Sequence, residues 1–459
     1  MKPEIDLGYA IGLPPEEAIR YFEGKGLVTT GDWRELWQAQ HAKAFTVARL
    51  AKLDILHDIY SALQAALKEG RTEQAFIKGL TPILQAKGWW GQAIDKATGE
   101  VLETYDPATG RPVEWGSPRR LKLIYRQNMQ TAYMAGRYKA QVELARRGAR
   151  PYWQYVAVRD SRTRPTHAAL HGRVWRADDP IWDHLYPPNG WNCRCRVRAL
   201  SEYRLAREGL KVESSEGMLV TREVQAGKRP DGSPDLREVT GIKIIGRDGR
   251  ESVMLPDAGW SYNPGKAGAA WRGLLDAAEA KIEAYAAAVG AASREDLHDL
   301  VLKGWSIWIE DALQGVARDR LGWLGVIGTR DLAYLMDAGI VPQSAEVMVR
   351  PGIVNGPKAR RHSDAGNALT EAQWRALPHL WQQAMALVID LKSGKPLWIL
   401  HGADGADGRA PQLAVEVDFV TGKPKRATNA AVSAYTITLE EMKNRLKAGS
   451  VKLLFGGLG

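Results

Sequence analysis

Residues 153–200 read WQYVAVRDSRTRPTHAALHGRVWRADDPIWDHLYPPNGWNCRCRVRAL, and this stretch decides the architecture. It holds both cysteines of the chain, Cys193 and Cys195, and three of its nine histidines, His167, His171 and His184. Trp153, Tyr155 and Ala157 alternate with Gln154, Val156 and Val158, the period-two pattern of a strand. Asp160 to Pro165 breaks that strand: Asp160 can accept from the backbone that follows, and proline favours the first turn of a helix. On such a turn His167 and His171, four apart, share a face, and Gly172 ends it. Val174-Trp175 begins a second strand, and Tyr186-Pro187-Pro188-Asn189-Gly190 is a fixed loop. Cys193 to Val197 reads as a third strand, with both thiols on one face and Arg194 and Arg196 on the other. The expectation is a compact β-rich knot held by side-chain chemistry rather than by a large core.

Two explanations of the polar cluster stand side by side. Asp160, His167, Cys193 and Cys195 are the ligand types of a tetrahedral structural zinc site, with His171 the rival imidazole. Alternatively Asp160, Arg162, Arg164, His167, Asn192 and Arg194 form a hydrogen-bonded network around two small buried thiols. No serine stands beside a histidine in the way hydrolytic catalysis needs, so an enzyme centre is not expected here.

The succession D-S-R-T-R-P-x-H, H-G-x-V-W and P-P-N-G-W-N-C-R-C resembles the phage Mu F-like minor head proteins, the phage head morphogenesis family, across roughly 117–265. That resemblance implies a protein in a few copies per virion, inside the head near the portal, acting in capsid assembly and DNA packaging or ejection. The implied partners are portal and capsid proteins and packaged DNA. The implied locations are the virion and, during assembly, the host cytoplasm.

Working outward, 459 residues suit about three domains on length alone. The reading divides the chain into a helical region 1–116, the head module 117–265, a helical linker 266–321 and a C-terminal domain 322–459: a multidomain α+β protein. A net charge of +10 favours a polyanionic neighbour. Two cysteines exclude a disulfide framework. No apolar run reaches membrane-spanning length, and no secretory signal pattern opens the sequence.

Pro15-Glu16-Glu17 starts a short helix, and Asp32 is read as the cap of one long helix running to Gly70. Thr72 caps another, residues 95–116 form a hairpin or loop, and Ser117-Pro118 opens a third. Arg119, Arg120, Lys122, Arg126, Arg137, Lys139, Arg146 and Arg147 line that third helix as a row able to meet DNA phosphates. Residues 213–239 read as a polar insertion, and 242–255 as a hairpin. Ser293 caps the second helix of the linker.

Beyond 322 a basic loop (358–362), a helix capped at Thr370, four strands and a last helix at 439–447 predict one helix packed on an antiparallel meander. The order of His362, L-T-x-x-Q-W-x-x-L-P, V-I-D, V-E-V-D-F and N-A-A-V-S-A-Y is similar to phage barnase–EndoU–colicin–RelE-like nuclease domains, over 322–450. This resemblance implies a metal-independent ribonuclease with an RNA substrate. His362 is the acid/base candidate, Lys358 and Arg361 supply positive charge, and Asn429, Ser433 and Tyr435 orient phosphate or base. The alternative is a purely structural head protein whose C-terminal domain is a non-catalytic binding module.

Overall fold

The computed structural model describes residues 15–30, 32–48, 50, 52–91, 115–229, 232–245, 251–317, 320–401, 409–421 and 426–458. The expected hairpin at 95–116 lies almost wholly outside them. The chain gathers into two compact units, Met1–Lys25 with Thr30–Trp271, and Gly26–Thr29 with Arg272–Gly459. The α+β expectation holds, with helices and sheets in both units.

In the first unit α1 (Pro15–Glu23), α2 (Gln40–Lys43), α3 (Leu53–Glu69), α4 (Glu73–Ala86) and α5 (Pro118–Arg146) precede the sheets. Thr72 and Ser117 cap α4 and α5, accepting from the amides of Ala75 and Arg120. The small residues of α5 let α1 approach: a Cβ at Gly136 would lie 3.0 Å from the Ala18 amide nitrogen.

The single long helix expected from Asp32 does not form. Asp32 caps one 3₁₀ turn, Trp33–Glu35, in a reciprocal box with Glu35, and Gln38 takes a left-handed φ of 46°. Tertiary contacts override helix periodicity here. Trp33 meets Trp191 edge-on at 5.9 Å, Arg34 pairs with Asp235, and the Arg237 guanidinium lies 5.0 Å over Trp37.

A four-stranded sheet follows, from β1 (Tyr152–Val156), β2 (Val174–Arg176), β3 (Arg196–Leu200) and β4 (Val212–Glu213), in the order β3-β1-β2-β4. β1 is antiparallel to both neighbours, with Trp153 opposite Trp175 and Ala199. Three short helices decorate it: α6 (Pro165–Ala169), α7 (Ile181–Leu185) and α8 (Glu202–Arg207). Cys193 and Cys195 precede β3 in irregular backbone rather than lying on its face.

The polar stretch 213–239 is not a loop. Its Val and Thr content drives β5 (Leu219–Lys228) to pair with β6 (Pro234–Ile245), which also pairs with β7 (Glu251–Met254). The expectation of little core is overturned as well. Trp153, Tyr155, Trp175, Trp182, Tyr186 and Val197 pack with Met134 of α5 and Ile242 and Ile244 of β6 into one buried cluster.

α9 (Pro264–Ala288) leads from the first unit into the second, and α10 (Arg294–Leu313) follows. Ser293 caps α10, which buries Leu297, Val301, Trp305 and Trp308 and so belongs to the second unit's own core. Next come β8 (Gly322–Val326), α11 (Thr329–Asp337), β9 (Glu346–Val349), α12 (Pro357–Asp364), α13 (Glu371–Gln382), β10 (Ala384–Asp390), β11 (Pro396–Leu400), β12 (Arg409–Thr421), β13 (Arg426–Thr438), α14 (Leu439–Lys447) and β14 (Val451–Gly456). They build a seven-stranded sheet in the order β8-β9-β13-β12-β11-β10-β14. It is antiparallel except where β9 runs parallel to β13, so it is not the simple meander expected. The four expected strands are present, β8 and β14 extend the two edges, and the basic stretch 358–362 is helical.

Candidate metal-ligating cluster

The backbone after β1 turns at Asp160. Its carboxylate accepts from the Arg162 amide at 3.1 Å and from both arms of Arg194 at 2.7 and 2.6 Å. The Arg194 fork holds the Asp160 carboxyl well below the usual carboxylate range. Asp160 therefore ties the turn to the cysteine segment as an ion-pair partner, and both its oxygens are engaged. It does not cap α6, whose N-cap is Arg164 with no side-chain cap bond. Arg162 reaches the same carboxylate at 3.4 Å.

Arg164 instead pairs with Asp257 at 2.7 Å and donates to the Trp191 carbonyl. Asp257 also accepts from the Trp191 amide, and it fits only because residue 190 is glycine: a Cβ there would lie 2.3 Å from its Oδ2. Asn192 adopts a left-handed φ of 56°, and its amide donates to Gln127 Oε1 of α5. Gly172, also left-handed at 87°, donates its amide to the Tyr155 carbonyl.

α6 turns His167 inward, 2% exposed, onto the two thiols. Its Nδ1 lies 3.7 Å from Cys193 Sγ and 3.5 Å from Cys195 Sγ, and the three ligand atoms fall within 4.8 Å of one another. His171 does not share this face. It lies past the end of α6, exposed, and its Nδ1 accepts from the Ala157 amide. A hydrogen bond from Cys195, with one from His167, pushes the Cys193 thiol well below its ordinary value, and that same bond to Cys193, with burial, pushes Cys195 up. Tyr155 stands beside Cys195 and donates to Asn189 Oδ1 at 2.9 Å, and burial raises its own ionisation well above the usual range. Of the four expected metal ligands the structure brings three together and leaves out Asp160.

A scan against family models matches residues 57–198 to the phage Mu protein F like protein family. The putative capsid assembly protein F of Escherichia phage Mu is 34% identical over 458 residues, covering 98% of each chain. The chain belongs to the phage Mu F-like family. The Mu-like prophage FluMu F protein of Haemophilus influenzae, strain Rd, is 34% identical over 441 residues, 94% of this chain and 99% of that one. No solved structure matches. The family match of this Mu F-like chain starts within α3 and ends in β3, so it reaches further toward the N-terminus than the 117–265 module and stops short of the β5–β7 hairpins.

In the second unit the expected catalytic residues divide. His362 stacks on Tyr435 with centroids 4.7 Å apart, Nδ1 is 3.1 Å from Asn367 Oδ1, and Nε2 is 3.5 Å from Ser433 Oγ. Lys358 donates to the Val432 carbonyl nearby. Arg361 is exposed and bonds back to Pro357 in its own helix. Asn429 is not at this site: it is fully buried and donates to the Ser344 and Glu346 carbonyls, closing β13 on β9. His362 and Arg360 line a cleft of about 270 Å³ with Trp374 and Glu371.

A larger cleft in the same unit, about 500 Å³, was not foreseen; Arg294, His298, Arg330, Asp331 and Trp381 line it. Asp331 accepts from Trp398 Nε1 at 2.8 Å, and burial pushes its carboxyl up to about 6. A lone aspartate in a helix's first turn carries no sequence signal of that kind.

Part of the basic row of α5 is paired inside the first unit. Arg126 and Lys122 pair with Glu73, Lys139 with Glu17, and Arg147 with Glu143, while Arg120 donates to the Trp115 and Ala48 carbonyls. Arg119, Lys122, Lys139, Arg146 and Arg147 remain exposed.

Proposed function

We propose that this Mu F-like chain is a minor head protein that acts in capsid assembly close to the portal, with its C-terminal unit serving as a binding module. The observation carrying this reading is colinearity: the putative capsid assembly protein F of phage Mu aligns with 98% of this chain, the second unit included. That unit thus lies within the shared length rather than beyond it. Head and capsid proteins are the partners. Among the described residues no helix is long and apolar enough to cross a membrane. Mass spectrometry of phage particles from the source strain is expected to find the chain in purified heads, and its gene's inactivation is expected to stop the production of filled heads. Normal yields of infectious particles lacking the protein would refute the proposal.

A second reading gives the C-terminal unit ribonuclease activity, for which the His362–Ser433–Tyr435 grouping beside a cleft is the supporting observation. Both ring nitrogens of His362 have partners, so it would have to release one to take a 2′-hydroxyl proton. The full chain is expected to leave tRNA, rRNA and mRNA intact. Cleavage that disappears in His362→Ala would establish the second reading.

A further inference from the structure

We propose that His167 Nδ1 and the Cys193 and Cys195 thiolates hold one zinc ion, without Asp160. Zinc bonds of about 2.3 Å to sulfur and about 2.0–2.1 Å to nitrogen at the tetrahedral angle place S and N about 3.5–3.6 Å apart. The two Sγ···Nδ1 separations are 3.7 and 3.5 Å, close to the edges of that polyhedron.

The donor set agrees with the geometry. Two thiolates and an imidazole suit zinc, and they offer nothing to calcium or magnesium, which take oxygen. The nearby carboxylate, Asp160, has both oxygens committed to Arg194. All three ligand side chains are buried, where a bare thiolate is costly, whereas two thiolates on a divalent ion make a neutral complex. Tyr155 stands beside the two thiols, and its hydroxyl is fixed by donation to the Asn189 side chain. Three protein ligands leave a fourth vertex, which is assigned to water.

The ion would pin α6 to the segment entering β3 across 26 and 28 residues of chain. Loading is a ligand exchange with balanced charge: each neutral thiol loses a proton as its sulfur bonds the ion, so two protons leave for each zinc bound to a fully protonated site, and neutral His167 gives up none.

The test uses the full-length protein, purified under reducing conditions without a metal column. Elemental analysis is expected to find about one zinc per chain in wild type and less than a fifth of that in Cys193→Ser. Cobalt replacing zinc is expected to show thiolate charge-transfer absorption and tetrahedral visible bands, lost in Cys195→Ser. Asp160→Asn is expected to keep its zinc. Stripping the metal with a chelator, which needs no variant, is expected to lower the melting temperature of wild type by about 5–10 °C, restored by zinc. A folded, reduced wild type that contains no metal and takes up neither zinc nor cobalt would overturn the proposal. So would a cobalt adduct without thiolate bands, or a native Cys193–Cys195 disulfide.

Discussion

Trp153→Ala is expected to lower the stability of the first unit by about 4 kcal/mol, the range for emptying a buried indole site. Trp153 is 1% exposed on the central strand β1 and meets Tyr138, Trp182 and Tyr186 at 5.7, 5.6 and 5.8 Å. Those rings belong to α5, α7 and the loop after it, so they cannot collapse into the vacated space without moving three elements. Trp153→Phe separates packing from hydrogen bonding. The indole Nε1 has no partner among the described residues, so phenylalanine loses volume but no bond, and the expected cost is about 1 kcal/mol. Guanidinium unfolding followed by circular dichroism checks both variants. Equal losses for Ala and Phe would show that the indole nitrogen, not ring packing, carries the site.

Asp331→Asn is expected to stabilise the second unit by about 2–3 kcal/mol at pH 7.5 and by nothing at pH 3.5. Burial raises the Asp331 carboxyl from 3.8 to about 6, so the folded state binds its proton more tightly than the unfolded chain does. The stability this group contributes is therefore fully present below about pH 3.8 and is lost as pH rises through about 6. Asparagine keeps an acceptor for Trp398 Nε1 and removes the charge, which cancels that loss. Melting temperatures of both proteins from pH 3.5 to 7.5 test this, and parallel curves would refute it. The same residue faces the larger cleft with Arg294, Arg330 and His298, where a carboxyl titrating near 6 would change the charge of the lining.

The tryptophans show why the sequence was informative about the core. The chain has 17 Trp and 5 Phe. A buried indole brings an apolar body and one N–H donor, and several of these donors find a carbonyl: Trp182 donates to that of Arg176, Trp305 to Trp374, Trp308 to Arg320 and Trp381 to Val326. The choice of carbonyl is invisible in sequence because partners lie 6 to 69 residues away. The His362 group was partly legible for the same reason. Ser433 and Tyr435 share a strand face by their spacing alone, but Asn429 is diverted to the Ser344 and Glu346 carbonyls, a role set by which strand lies beside β13.

By itself the sequence determined what a few neighbouring residues settle among themselves. Thr72, Ser117, Ser293 and Thr370 cap their helices, a strand forms where the 153–158 pattern starts, and the Mu F-like motifs were readable as letters. Cap bonds act over two to four residues, so they survive without knowledge of the rest. Only the tertiary structure decided that the helix expected after Asp32 stops for a tryptophan cluster and that β8 and β14 complete the second sheet. It also decided that Asp160 turns to Arg194 while His167 turns to the thiols. Those outcomes depend on which distant surface is available for burial and which distant charge lies within reach, and neither quantity is written in local spacing.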